Sequence, residues 1–318
     1  MRRACARGRR NQMEVFKLTL SQMLELFLFM LVGFALKRKN ILKDEAALLL
    51  SKLETLVFLP AMIISTFSAR CNWENLAGNL DVLLYSIGAI ILTTVLATPV
   101  SRLFSRESLE RNCYKYSLIV PNSGYVGNAV ILGVLGEDAL FKFLIFCIPV
   151  NFFVYTIAVR WLMNAGSSKF SFKSLLNPIF LSVIIGMVIG LLELPLPAFL
   201  STSISAAGNC MAPIAMLVTG FVIGEYDLKK LFSVKKVYIL SLARLVIIPL
   251  LFYAGMRLCG APAAMITLVV AYMAMPLGMN TILLPAASGG DTTAGASMAV
   301  ISNLLAILTI PLIFMLIV

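Results

Sequence analysis

LIVPNSGYVGNAVILG (118–133) and AYMAMPLGMNTILLPA (271–286) lie in opposite halves of a 318-residue chain, each an apolar run interrupted by proline, glycine and asparagine. An interior Pro weakens a helix by roughly 3 kcal/mol and an interior Gly by roughly 1. Inside a bilayer, broken backbone survives only where protein or a watery cavity satisfies its N–H and C=O groups. Two such breaks at corresponding places in two halves are the pattern of a transporter's binding site. The chain therefore reads first as a carrier.

Composition agrees with a membrane setting. Hydrophobic residues make up 60% of the chain and charged residues 13%, against roughly 45–50% apolar in soluble domains. A span needs about 20 apolar residues to cross about 30 Å of hydrocarbon. About ten spans are expected, near 18–36, 46–68, 80–100, 114–135, 139–163, 174–194, 203–224, 237–258, 262–286 and 294–318. These runs lack the polar faces that a soluble helical bundle needs. The fold class expected is all-α integral membrane.

Basic residues set an orientation. Lys37, Arg38, Lys39 and Lys43 lie between the first two spans, and Arg102, Arg106, Arg111 and Lys115 between the third and fourth. Arg160, Lys169 and Lys173 follow the fifth, and Lys229, Lys230, Lys235 and Lys236 the seventh. The intervening loops hold Arg70, Lys142 and Arg257. By the positive-inside rule the first set is cytoplasmic, so the chain is expected in the cell (inner or plasma) membrane with both termini non-cytoplasmic. Loop charge also accounts for most of the net +11, so no nucleic-acid partner is needed. Arg2, Arg3, Arg7, Arg9 and Arg10 oppose this orientation. Either residues 1–12 are an extension upstream of a start at Met13, or the arginines form a cytoplasmic tail and one span is miscounted.

Cysteine shows no CxxC pair or metal spacing, and histidine is absent. That removes the commonest metal ligand and proton shuttle. No cofactor is expected. The stretch NAGSSKFSFK (164–173) is the one plausible internal linker, dividing residues 13–163 from 174–318. The halves echo one another in order: LPAMIISTF (59–67) with APIAMLVTG (212–220), and GNAVILGVLGED (127–138) with MNTILLPAASGGD (279–291). Five spans per half make the two repeats inverted, with broken helices four and nine crossing near the midplane.

At these residues the chain resembles the auxin efflux carrier family. The resemblance runs from Met13 to Val318 and rests on PNSGYVGN (121–128), NFFVYT (151–156), MPLGMN (275–280) and SGGD (288–291). One departure is visible: Asn128-Ala129 follow Gly127 where the family often continues Gly-x-Pro. The resemblance implies ten spans in two inverted repeats, the first two of each forming a scaffold and the other three a moving, elevator-type domain. It also implies export or exchange of organic acids such as malate, malonate or auxin-like compounds.

Helix N-termini carry about half a positive charge and free N–H groups, which suits a carboxylate. Gly124, Gly127 and Gly278 would let a substrate approach backbone. Asn122 and Asn280 follow Pro121 and Pro276 and offer amide donors and a carbonyl acceptor. In the resembled family the asparagine beside the first crossover proline contacts substrate, a role carried here to Asn122 and, in the second half, to Asn280. The alternative is that these amides only satisfy carbonyls freed by proline. Ser123 and Tyr125 flank Asn122; Asn128, Asn151 and Asn303 read as groups steadying the crossover. Ionisable residues within spans are functional candidates by default. Arg244 lies about 12 Å along a helix from Lys236 and could snorkel to the surface, attract an anion or pair with a carboxylate. Glu54 and Glu25 are candidates for proton coupling. A homodimer stays an open arrangement.

Three rival functions are weaker. Ser288-Gly289-Gly290-Asp291 lacks the first glycine of an intramembrane aspartyl protease, and no GxSxG or HExxH is present, so an enzyme is not expected. No repeated filter element supports a channel. A sodium-coupled symporter of the related bile-acid type is the nearer alternative, but the breaks themselves carry no carboxylate.

Overall fold

The computed structural model describes residues 2–43, 45–162, 177–287 and 292–318. Among them every regular element is helical. In chain order these are α1 (Arg2–Arg38), α2 (Glu45–Arg70), α3 (Trp73–Phe104), α4 (Ser108–Ile119), α5 (Ser123–Leu135), α6 (Glu137–Leu162) and α7 (Pro178–Leu191). There follow α8 (Ala198–Gly224), a short six-residue helix Leu228–Ser233, α9 (Lys235–Leu258), α10 (Ala263–Ala274), α11 (Asn280–Ala287) and α12 (Thr293–Ile317). Seven of these, α1 from Gln12 onward and α2, α3, α6, α8, α9 and α12, are long and apolar enough to cross a bilayer. The span expected at 174–194 is described as the shorter α7. There Asn177 Oδ1 accepts from the N–H groups of Ile179 and Phe180 at 3.0 and 3.1 Å and caps the helix. The linker at 164–173 and the SGGD turn at 288–291 lie outside the described residues.

The expected fourth and ninth spans are each two helices. Backbone leaves helical geometry at Val120 and Met275, one residue before each proline, because the proline ring excludes the α conformation there. Prolines Pro60 and Pro249 instead stay inside long helices. Each is preceded by a widened π turn, Glu54–Phe58 and Ala243–Ile247. A proline removes the hydrogen bond to the carbonyl four residues earlier, and a wider turn accommodates the loss.

The solvent-facing exterior is apolar. Leu84, Leu103, Phe199 and Leu258 are largely exposed, whereas Tyr114, Tyr116, Tyr272 and Arg244 are fully buried. A soluble protein reverses that order; a lipid-facing one needs it. Two close helix pairs organise the frame: α1 lies along the C-terminal half of α8, and α7 along the C-terminal half of α2. Both seams are made of small residues. A Cβ added at Gly220 would strike the Met30 carbonyl oxygen, and one at Gly33 the Leu217 carbonyl. On the other seam a Cβ at Gly190 would come within 2.6 Å of the Phe67 carbonyl oxygen. Between apolar helices in lipid, such backbone contact is the main attraction. The remaining helices also pack in matched fashion, α3 against α4 and α6, and α9 against α10 and α12.

The seam is testable. Gly220→Ala should cost about 1–3 kcal/mol by overpacking and lower the unfolding temperature in detergent. Gly88→Ala, where an added Cβ meets nothing within 4 Å, should be neutral or gain up to about 1 kcal/mol of helix propensity. Equal unfolding temperatures for the two variants would contradict the packing described.

Candidate functional site

The two breaks meet. Pro121 and Leu277 form an isolated antiparallel bridge, and the Asn122 N–H donates to the Pro276 carbonyl at 2.8 Å. The Leu277 N–H donates to Ser302 Oγ of α12 at 3.0 Å. Backbone that proline and glycine released from the helices is thus paired across the crossing, as a water-free interior requires. Asn122 also caps the turn that opens α5, its Oδ1 accepting from the Tyr125 N–H at 3.2 Å. Its Nδ2 is buried and has no hydrogen-bond partner. Asn280 Nδ2 donates to the Tyr116 hydroxyl at 2.7 Å.

Around this crossing lies a cavity of about 270 Å³, between α2, the α4–α5 break, the C-terminal part of α6 and the start of α11. Pro121, Asn122, Ser123, Gly124, Tyr125 and Asn280 line it, joined by Glu54 and Asn151. Pro276 contributes its carbonyl to Asn122 and does not line the cavity. Glu54 is almost fully buried; its Oε2 lies 3.3 Å from the Thr55 hydroxyl, and the Tyr125 phenol sits against it. A Cβ at Gly124 would meet nothing within 4 Å, so the cavity reaches the backbone there. Gly127 serves packing instead: a Cβ would fall 2.9 Å from the Phe143 ring. At Gly278 a Cβ would only touch Asn122 and Pro121 backbone at 3.7 Å.

The cavity includes residues that sequence reasoning passed over: Ser51, Thr55, Tyr116 and Tyr155. Ser51 and Thr55 share a helical turn with Glu54, and Tyr155 stands inside the NFFVYT stretch, so position relative to known candidates was the available signal. Of the asparagines expected to steady the crossover, Asn128 and Asn151 lie beside it, whereas Asn303 bonds within its own helix and lines neither void. Asn128 Nδ2 donates to the Gly124 carbonyl at 3.0 Å, and Asn303 Nδ2 to the Ala299 carbonyl at 2.7 Å. Asn128 and Asn151 border a void of about 50 Å³ behind Ser123 and Gly124. Arg244 corrects one expectation. Its side chain is fully buried and does not snorkel; Nη1 donates to the Leu118 carbonyl at 3.0 Å. The π turn that carries it and the packing of α9 against α12 hold it inside.

A third and larger cavity, about 510 Å³, opens at the other end of α2 and is lined by Ser65, Thr66, Ser68, Ser201 and Ser205. At its edge Arg70 pairs with Glu137 at 2.6 Å and with Asp138 at 2.8 Å, tying the end of α2 to the start of α6. The three voids follow the groove between α2 and α6, with Leu59, Ile63 and Leu144 around the narrowest. Such an arrangement offers a small polar solute a hydroxyl- and amide-lined pocket at one end and a polar vestibule at the other.

Comparison with known proteins closes the identification. A family model described as "Membrane transport protein" matches residues 18–170 and 163–314. A Rhizobium meliloti (strain 1021) protein named "Putative malonate transporter" is 25% identical over 264 residues, which cover 79% of this chain and 81% of that relative. Matched by this model over both of its halves, and built from helices that can cross a bilayer, the chain belongs to the membrane transport protein family, of auxin efflux carrier type.

Proposed function

We propose that the chain is a secondary-active permease of small organic anions, carboxylates such as malate, malonate or auxin-like acids, working by elevator-type alternating access. The observation that carries this reading is the buried Asn122 amide, with its Nδ2 unpartnered, on a cavity formed where two helix breaks meet. A buried donor without a partner costs about 1–3 kcal/mol, and a carboxylate oxygen is the acceptor that would relieve it. A cavity of about 270 Å³ falls at the small end of ligand pockets, which begin near roughly 300 Å³. A short acid suits it. The printed name of the Rhizobium meliloti relative makes malonate the first probe.

Two inverted repeats, 13–163 and 174–318, are part of the same proposal, joined through the linker at 164–173. Support comes from the exchanged seams, in which α1 lies on α8 and α7 on α2, and from the paired breaks. On this view those four helices are the scaffold and the others move. Both termini face away from the cytoplasm, following the loop charges. Glu54, the acidic side chain on the cavity among the described residues, is assigned proton coupling.

Counterflow of labelled malonate in proteoliposomes tests the carrier reading, because a carrier shows trans-stimulation and an open pore does not. Asn122→Ala and Asn280→Ala should each cut that exchange at least tenfold while the purified proteins stay monodisperse. Wild-type kinetics in both variants would defeat the assignment. For coupling, Glu54→Gln should retain exchange but lose accumulation driven by a pH gradient. Gradient-driven accumulation at the wild-type level in that variant would remove Glu54 from the mechanism.

A further inference from the structure

Arg244 is the largest fully buried side chain of the described residues. Its Nε and Nη2 are buried with no hydrogen-bond partner, and among the described residues no ion pair reaches it. An unpaired guanidinium inside apolar packing is costly, so its surroundings must supply negative potential from another source. Its contacts identify that source. Nη1 donates to the carbonyl of Leu118, in the last turn of α4, and lies 3.6 Å from the sulfur of Met273, in the last turn of α10. Both residues stand at the C-terminal ends of the half-helices that run into Pro121 and Pro276, Leu118 meeting the guanidinium through its main-chain carbonyl and Met273 through its side-chain sulfur.

We infer that Arg244 is a positioning residue that cancels the negative ends of both half-helices and so leaves the crossover positive toward a carboxylate. Each helix C-terminus carries about half a negative charge and each N-terminus about half a positive one. A crossing of two broken helices therefore has no net charge of its own. Placing one guanidinium beside the two C-termini offsets them and leaves the N-terminal ends of α5 and α11 unopposed. The pocket at Asn122 then receives the positive ends of both helices without any cation lining it, and the Glu54 carboxyl on the same cavity opposes them when ionised. Low dielectric carries this field further than water would. The inference rests on the anion-carrier reading for its ligand, but the compensation of helix ends stands apart from it.

Two measurements on the full chain in detergent separate these parts. Without ligand, hydrogen exchange reads the compensation: Arg244→Met should speed exchange at amides near 119–123 and 274–278 about tenfold, and Arg244→Lys should hold them near wild type. Malonate titration then reads recognition. Arg244→Met should weaken malonate at least tenfold and Arg244→Lys by less than threefold, while the uncharged malonamide binds all three proteins alike. Unchanged exchange in Arg244→Met, or equal loss of malonate in the Met and Lys variants, overturns the inference. If exchange follows the expected pattern but the wild type ignores malonate and other carboxylates, the charge compensation stands and the carrier reading fails.

Discussion

Backbone amides and carbonyls in hydrocarbon must find partners inside the protein, and everything near the crossing follows from that constraint. Two prolines, each preceded by extended backbone, end two helices inside an apolar interior. The released groups are then paired with one another, Asn122 N–H to Pro276 C=O, and with Ser302. Pairing consumes most of the exposed polarity. What is left over includes the amide nitrogen of Asn122, and together with the hydroxyls and amides on the cavity it is the polarity the proposed solute would meet.

A site built this way needs few charged side chains. Dipoles, amides and hydroxyls surround the pocket, and its acid, Glu54, comes from a different helix than the breaks themselves. Cations are kept at a distance: Arg244 behind the half-helix ends, and Arg70 at the rim with Glu137 and Asp138. Surface pairs of the second kind contribute little to stability, roughly 0–1 kcal/mol. A buried guanidinium is different in kind, since burial removes it from the screening of bulk solvent.

The positions of the breaks were legible because proline and glycine act locally, through geometry that any neighbour must obey. Seven of the ten expected spans were legible from length and composition, with most ends close to the helices described. However, α1 and α3 begin well before the expected 18 and 80, and the regions 114–135, 174–194 and 262–286 hold only shorter helices. Which face of each span turns inward was not. Helices such as α6 and α12 are apolar nearly all round, so no amphipathic stripe announces that Tyr155 of α6 meets a cavity. That phase is set by the seams, and the seams depend on single glycines whose role shows only when the partner carbonyl is in place. The π turns before Pro60 and Pro249 were equally invisible, because whether proline kinks, widens or ends a helix is decided by surrounding packing.

The glycine seams have a mechanical meaning beyond their cohesion. Where Gly220 and Gly33 bring main chains together with nothing between them, one helix cannot be displaced past the other without driving carbonyl oxygen into α-carbon. Such a joint behaves as a weld. The groove between α2 and α6 is hollowed by three voids and held by side chains, the Arg70 pairs at its rim and the edge-on Phe67–Phe141 rings. On the proposed carrier reading, sliding would fall along this hollowed groove, which passes through the pocket, and not along the glycine seams.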